Sequence, residues 1–450
     1  MAESVVDFTT GSIVRKILIF SIPLFLGNLF QQLYNAADTL IVGNFLGSDA
    51  LAAVSSSGSL IFMMVGFFNG MAVGAGVVIS HALGAGDRKR LERAIHTDIA
   101  FGCISGVVLT FFAVIFTPHI LRWISTPDNL LPLSTDYFRI YSAGIFFSVL
   151  YNILMGIMNA LGDSKHPLYY LMISSAVNIV LDLLFIGVMG MGVGSAAFAT
   201  IISQAASSVL CLIHLMKGDV GCRVSLKAMR ITRGELRAIV SSGLPSGLQN
   251  SIVGFANTVV QASVNTFPAA AIAGFGVYAK IEGFVLLPIT TISLALTTCI
   301  AQTVGSGKLE RMKKGARSGL LLDIISGEAV GALLFIFAPF LFRLFSSDSD
   351  VIAFGVRQAR IEAFFYFLPA LSHGTAGILR GVGKAFIPML VLLGAWCITR
   401  VVFIRVLLFF VNDVAIIYIA YPVTWLLSSA VFVYFLFSGN YIPERRRYHD

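Results

Sequence analysis

Charge is what this chain of 450 residues has least of. Asp, Glu, Lys and Arg make up 12% of it, while 57% is hydrophobic; a soluble domain averages about 25% charged residues. A large soluble core would need an outer polar shell, and that composition cannot supply one. Cysteine is scarce as well. Cys103, Cys211, Cys222, Cys299 and Cys397 are scattered without metal-ligand spacing, so they read as small packing residues, and neither a disulfide framework nor a zinc site is expected. There is no Walker-type glycine-rich phosphate loop, which excludes ATP as the direct energy source. The Gly84-Ala-Gly86-Asp87 run lacks the preceding strand that a nucleotide site needs. His81, His96, His119, His166, His214 and His373 are dispersed and read as packed or interfacial residues. With no serine–histidine arrangement either, no enzymatic activity is expected, and no cofactor beyond a coupling ion.

What is abundant is long apolar sequence, with 42 glycines and 37 phenylalanines, a mix suited to helices packed closely in lipid. Crossing ~30 Å of hydrocarbon takes about 20 apolar residues. Segments that qualify run near 15–44, 50–80, 95–117, 133–160, 167–188, 193–216, 237–265, 269–303, 316–341, 353–380, 385–411 and 415–438. The expectation is an all-α integral membrane protein with twelve transmembrane helices. Met1 to Ser12 lacks the basic start and small-residue cleavage site of a signal peptide, so the first apolar segment is expected to be a permanent helix.

Basic residues collect in alternate loops: Arg88-Lys89-Arg90 with Arg93, Lys165, Lys217 through Arg237, Lys308 to Arg317, Lys384, and the tail Arg445-Arg446-Arg447. Arg122 and Arg343 are the exceptions. The positive-inside rule then places both termini in the cytoplasm, with the lipid bilayer as the main partner. Topology accounts for the net charge of +8, so nucleic acid is not called for.

The sequence repeats. At a shift of 221, Gly84-Ala-Gly86 falls on Gly305-Ser-Gly307, Arg90 on Arg311, Pro118 on Pro339, Arg122 on Arg343 and Arg139 on Arg360. Gly156 falls on Gly377, Gly162 on Gly383 and Pro167 on Pro388; at 222, Pro23, Asn28 and Asn35 fall on Pro245, Asn250 and Asn257. Chance apolar similarity would match leucines and valines, not prolines, glycines and arginines. Each half holds six helices, so the halves are parallel repeats, an N-lobe over 1–216 and a C-lobe over 237–450. The polar stretch 217–236 is the expected cytoplasmic linker. Two such bundles flanking one cavity suit alternating access.

Charges at bilayer depth cost on the order of 3 kcal/mol or more and usually mark a pathway or a coupling site. In the first segment Asn28, Gln31, Asn35 and Asp38 share one helix face. In the fifth, Asn178 and Asp182 are one turn apart, and in the sixth Thr200 and Gln204 share a face. At about 1.5 Å per residue, Asp38, Asp182 and Thr200 all fall roughly 10 Å inside the outer boundary. Two carboxylates, an amide and a hydroxyl at one depth offer hard oxygen ligands to a monovalent cation such as Na+. Equally, the two carboxyls could carry a proton. The second half is different: Asn250, Asn257, Gln261 and Asn265 form a stripe, but Val260 stands where Asp38 has its counterpart. Lys280, Glu282, Asp323 and Glu328 pair structurally or line the cavity, and Arg400 and Arg405 are expected near a carboxylate or the interface.

These stretches carry a family pattern. Ser21-Ile-Pro-Leu through Asn35-Ala-Ala-Asp-Thr-Leu-Ile-Val-Gly43, Gly84-Ala-Gly-Asp87, Leu161-Gly-Asp163 and Asn178-Ile-Val-Leu-Asp182 resemble the multidrug and toxic compound extrusion (MATE) family. Ala301-Gln-Thr-Val-Gly-Ser-Gly307 and Arg380-Gly-Val-Gly383 are the second-half counterparts. The resemblance spans essentially the whole chain. It implies an antiporter that exports amphipathic, mostly cationic organic compounds in exchange for Na+ or H+, a monomer in the bacterial cytoplasmic membrane. The family's N-lobe cation site maps onto Asp38, Asn178, Asp182 and Thr200. Asn28, Gln31, Asn35, Gln204, Asn250, Asn257, Gln261 and Glu282 are expected to line the substrate cavity. Some relatives carry an acid on the seventh helix; here Gln249, Asn250 and Ser251 stand in that region, which leaves coupling to the N-lobe. A lipid-linked sugar flippase of the same superfamily would favour a strongly cationic cavity and extra helices. A major facilitator would share the two parallel halves, and Gly84-Ala-Gly-Asp-Arg-Lys-Arg resembles its basic loop, but the acids of the first and fifth segments fit it less well.

Overall fold

Apolar runs of this length have one way to satisfy their backbone in hydrocarbon without an open edge, and that is to close every N–H onto a carbonyl within the same helix. The computed structural model describes residues 5–123, 126–218, 222–439 and 442. Within them the chain forms twelve helical rods, nearly end to end. The first six are α1 (Ile13–Leu46), α2 (Ser48–Gly84), α3 (Arg88–Trp123), α4 (Leu131–Ala143 and Ile145–Ala160), α5 (Lys165–Val188) and α6 (Gly194–Lys217). The second six are α7 (Arg233–Val264), α8 (Ala269–Gly305), α9 (Leu309–Arg343), α10 (Ser349–Ala363 and Phe367–Gly381), α11 (Phe386–Phe410) and α12 (Ala415–Phe437). Nine of these are individually long and apolar enough to cross a membrane, and α4 is a tenth if its two pieces count as one span. The other two are α7, which carries Gln249, Asn250, Asn257 and Gln261, and α10, which is broken in two and carries Arg357, Arg360 and Glu362. The basic tail Arg445-Arg446-Arg447 lies outside the described residues.

The repeat seen in the sequence is built into the backbone. Both halves interrupt their fourth helix at matching places: α4 bends by 48° at Gly144, and α10 is broken at Phe364–Tyr366. Gly162 and Gly383 both turn with positive φ, 92° and 84°, a region that costs little only without a Cβ. Close helix approaches repeat too. A Cβ on Gly156 of α4 would come within 2.9 Å of Ala72 Cβ on α2, and one on Gly377 of α10 within 2.6 Å of the Ser293 carbonyl oxygen on α8. Positions 72 and 293, like 156 and 377, are 221 apart.

By internal packing the chain divides into two compact units, 1–6 with 26–247 and 7–25 with 248–450. The divisions fall two residues beyond Pro23 and Pro245, inside α1 and α7, instead of in the polar stretch 217–236. In the first unit Ile79, Ile95, Leu154 and Cys211 centre the core. Residues 222–236 dock there: Ser225 N–H donates to His96 Nε2 at 3.1 Å, Thr232 N–H to Thr97 Oγ1 at 3.1 Å, and Arg90 stands 3.6 Å from Glu235. Gly70 and Gly74 of α2 meet Gly243 and Gly247 of α7, a small-xxx-small contact on both helices. In the second unit the core gathers Tyr278, Ile289, Phe342 and Tyr366. There Phe8 is buried, its N–H donating to Gln302 Oε1 at 3.1 Å while Arg311 Nε donates to its carbonyl at 2.7 Å. Phe111, Ile115, Ile336 and Phe340 stay exposed along α3 and α9, as lipid-facing side chains do.

Candidate functional site

The first unit sets two of its acids, Asp38 and Asp182, against one another. Asp38 comes from α1, Asn178 and Asp182 from α5, and Thr200 from α6; Asn178 and Asp182 have no exposed surface. α5 and α6 are joined by a short loop, which sets Asn178 and Asp182 beside Thr200. The two carboxyl groups lie within hydrogen-bonding reach of each other, an arrangement that needs one proton between them, since an ionised carboxylate only accepts. With its side-chain amide oriented to satisfy both ends, Asn178 donates to Asp182 Oδ2 at 2.9 Å and accepts from the Thr200 N–H at 3.3 Å. The Thr200 hydroxyl donates to the Ala196 carbonyl at 3.0 Å, and Tyr34 hydrogen-bonds to it. One oxygen on each acid, Asp38 Oδ1 and Asp182 Oδ1, is buried with no hydrogen-bond partner.

Two further features were not singled out in the sequence. Tyr34, Tyr137 and Tyr141 surround the pair, with Tyr137 and Tyr141 stacked at 6.5 Å between ring centroids. Tyr34 stands one turn before Asp38, so its spacing could have marked it. Leu183–Val188, directly after Asp182, is a π-helical turn; such turns widen a helix at functional positions and no sequence pattern announces this one. Among the other expected residues, Gln204 lies a turn beyond Thr200 and is half-buried, as is Asn28, whereas Gln31 and Asn35 are exposed.

The second unit builds a different cluster. Glu362 of α10 is fully buried; its Oε2 accepts from the Tyr278 hydroxyl at 2.8 Å and its Oε1 from Gln358 Nε2 at 2.9 Å. Tyr278 and Tyr366 share a hydrogen bond of 3.0 Å. Arg400 of α11 is buried; Nε and Nη2 donate to Thr424 Oγ1 at 3.2 and 3.1 Å, and its guanidinium carbon stands 4.0 Å from the Tyr421 ring centroid. Half-buried Glu282 lies in the electrostatic field of Arg400, and Glu362 in that of both. Arg400 follows a second π-helical turn, Leu393–Thr399. Arg405 is exposed. On α7, Asn250 and Gln261 are half-buried and Asn257 exposed, with Gln261 Nε2 donating to Asn265 Oδ1 at 2.9 Å. Asp323 is fully buried, and Glu328 Oε2 accepts from the Phe367 N–H at 3.3 Å.

Twelve spans in two parallel six-helix repeats, with acids buried mid-helix and no catalytic constellation among the described residues, define a multi-pass membrane transporter. Residues 23–184 and 245–406 each match the MatE family model, so the chain belongs to that family, one of transporters and not of enzymes. The second match begins at 245 where the first begins at 23, within one position of the shift that aligns most of the repeat. The chain is 29% identical over 389 residues to "Probable multidrug resistance protein YpnP" of Bacillus subtilis, covering 86% of each. It is 24% identical to "Multidrug export protein MepA" of Staphylococcus aureus, over 86% of this chain and 83% of that one. Among solved structures, the outward-facing conformation of a multidrug resistance MATE family transporter of the MOP superfamily superposes with a TM-score of 0.91 at 23% identity, covering 98% of this chain and 99% of that one. A MOP superfamily transporter from Pyrococcus furiosus, described as having a binding pocket of reverse polarity, gives 0.91 at 22% identity, covering 99% of both chains.

Proposed function

We propose that this MatE-family transporter exports amphipathic, mostly cationic organic compounds by alternating access, in exchange for Na+ or H+. Asp38, Asn178, Asp182 and Thr200 are its coupling site. The observation that carries this reading is the carboxyl pair of the first unit, buried with one unpartnered oxygen on each acid. A buried pair without a fixed counter-ion is stable only with a proton or a cation to neutralise it. The oxygens of Asp38, Asp182 and Thr200, with the Asn178 amide, suit Na+; the pair alone suits H+. The names of the curated relatives, multidrug resistance and multidrug export, support organic substrates.

In the proposed cycle, a cation entering from the outer side neutralises the pair, α1 shifts relative to α5 and α6, and affinity for the exported compound falls in the outward state. Coupling of this kind works only if the ion binds the two states with different affinity. Asn28, Gln31, Asn35 and Gln204 of the first unit, and Asn250, Asn257, Gln261 and Glu282 of the second, are the proposed substrate contacts. The basic alternate loops support a place in the bacterial cytoplasmic membrane with both termini inside, and the proposed working unit is the monomer.

The experiment is efflux of a fluorescent organic cation from proteoliposomes with imposed Na+ or proton gradients. Export driven by one gradient and lost in Asp182→Asn supports the reading and names the ion. If no gradient moves any of a panel of organic cations, the drug-export reading is overturned, and lipid-linked or anionic substrates come to the front.

A further inference from the structure

The first unit holds a second polar cluster at the opposite end of α5 and α6 from the carboxyl pair. Asp163, in the turn between α4 and α5, is fully buried. Its Oδ2 lies 2.6 Å from His166 Nδ1 and 3.3 Å from His214 Nε2. His166 opens α5, and His214 lies in the last turn of α6; their rings are 4.1 Å apart between centroids. One donor atom from each of the three residues falls within 4.8 Å of the others. Along the chain the two histidines are far apart, which is why they read there as packing residues.

Asp163 serves the helix start with one oxygen, while its other oxygen faces two histidines from α5 and α6 that also pack against Tyr170. Asp163 Oδ1 accepts from the backbone N–H groups of Lys165 and His166, each at 3.2 Å, and so caps the start of α5. The other half supplies an internal control. The turn at Gly383 has the same left-handed φ, and Lys384 N–H bonds to the Leu379 carbonyl at 2.8 Å, as Asp163 N–H bonds to Met158 at 2.9 Å. At a shift of 221, Asp163, His166 and His214 correspond to Lys384, Ile387 and Phe435. The same turn and the same helix packing are therefore built without any of the three. What the first half adds is a donor set.

We propose that Asp163, His166 and His214 form a binding site for a divalent transition metal ion of the Zn2+ class. Two imidazoles and a carboxylate are the donors such ions select, and three protein ligands leave one position to water. Donors around a tetrahedral ion sit about 3.3 Å apart, so the set needs only small side-chain turns, which half-exposed His166 is free to make. Na+ prefers all-oxygen ligands, and the site lies about 24 Å from Asp182 along α5, counted from the helical rise per residue. It is thus chemically and spatially distinct from the proposed coupling site. An ion held there ties the start of α5 to the end of α6.

The test is titration of the purified full-length protein, freed of any affinity tag, with Co2+ in detergent. Expected are visible d–d bands that saturate at one equivalent, are displaced by Zn2+ and are untouched by Na+. Zn2+ should also raise the melting temperature, since an ion that binds only the folded state stabilises it. Both effects should be lost in His166→Ala and His214→Gln and kept in Asp182→Asn, whatever that last variant does to transport. His166→Ala alters a half-exposed side chain and is the decisive variant if His214→Gln folds poorly. Wild type that binds Co2+ no better than His166→Ala, or bands that persist in that variant, would overturn the proposal and leave adventitious binding at other histidines.

Discussion

Asp38 and Asp182 meet in the first half, and neither takes part in any ion pair among the described residues. Glu282 and Glu362, in the second half, lie in the field of a buried arginine, Arg400. Both clusters are wrapped in tyrosines, and both adjoin a π-helical turn, in α5 and in α11. The arginine separates them. An acid beside a fixed positive charge has part of its own charge offset without a mobile ion, whereas a pair without one needs a proton or cation and can therefore answer to its concentration. Duplication supplied two similar bundles, and one buried arginine gives their acid clusters different electrostatic surroundings.

The strongest test of that comparison is to neutralise acids in each half in turn. Asp38→Asn and Asp182→Asn are expected to drop gradient-driven efflux to background while the protein remains inserted and elutes as wild type. Full transport by both variants would remove the first-half pair from the mechanism and the asymmetry with it. Next in size is Arg400→Met. Removing the buried guanidinium takes its field from Glu282 and Glu362 and leaves the Thr424 hydroxyl without its donors, at a cost of about 1 to 3 kcal/mol read as a fall in the melting temperature in detergent. Adding Glu282→Gln should recover part of the fall, because the two residues interact and their effects do not add. Equal melting of the single and double variants would show that Arg400 acts through Thr424 and Tyr421 alone.

The shared framework can be probed at the paired glycines. Gly377→Ala would place a Cβ 2.6 Å from the Ser293 carbonyl oxygen, a backbone atom, whereas Gly156→Ala would meet the Ala72 methyl at 2.9 Å. Both should destabilise within the roughly 1 to 3 kcal/mol of overpacking, Gly377→Ala by more, since the backbone it meets has further to move. Reversal of that order in melting measurements would mean that the contact in α2 and α4 is the stiffer one.

How much of this was legible in advance follows from which forces are local. Helix positions were, because hydrocarbon thickness sets the length of apolar sequence directly: the fifth segment, expected at 167–188, is Lys165–Val188. The grouping of Asp38, Asn178, Asp182 and Thr200 was legible as well, since a fixed rise per residue converts sequence position into depth. Glu362 was not, because only its distance to Tyr278, 84 positions away in sequence, shows what it does. Nor was the division of α1 and α7 between two units, which depends on which neighbours each half-helix packs against. The histidine cluster needed three elements brought to one end of the bundle, and spacing along the chain carries no trace of that.

A finer probe of the same comparison is Glu362→Gln. The amide keeps an oxygen to accept the Tyr278 hydroxyl, and Arg400 then faces one acid in place of two. Efflux is expected to stay within a few-fold of wild type, about 1 kcal/mol or less. Loss as complete as in Asp182→Asn would mean that both halves carry coupling acids, and that Arg400 does not set them apart.

The smallest expected difference lies outside the membrane. The loop before α12 holds Asp413, whose counterpart in the first half, at the shift that pairs Gly162 with Gly383, is Gly192. The Ala415 N–H, 2.8 Å from Asp413 Oδ1, and then Arg357, 3.4 Å from Oδ2, hold its carboxyl below the usual carboxylate range. A group whose folded pKa is lowered adds stability above its unfolded pKa, near 3.9, and loses it as pH falls through the folded value. The side chains are half-exposed, so screening keeps the gain to a few tenths of a kcal/mol. Asp413→Asn should therefore lower the melting temperature slightly at pH 7 and approach wild type as pH falls below the lowered carboxyl pKa, while Gly192→Asp in the other half, where Asp136 stands at the position matching Arg357, should gain nothing. A gain from Gly192→Asp equal to the loss from Asp413→Asn would mean that the cap alone sets the effect, and that Arg357 contributes nothing measurable.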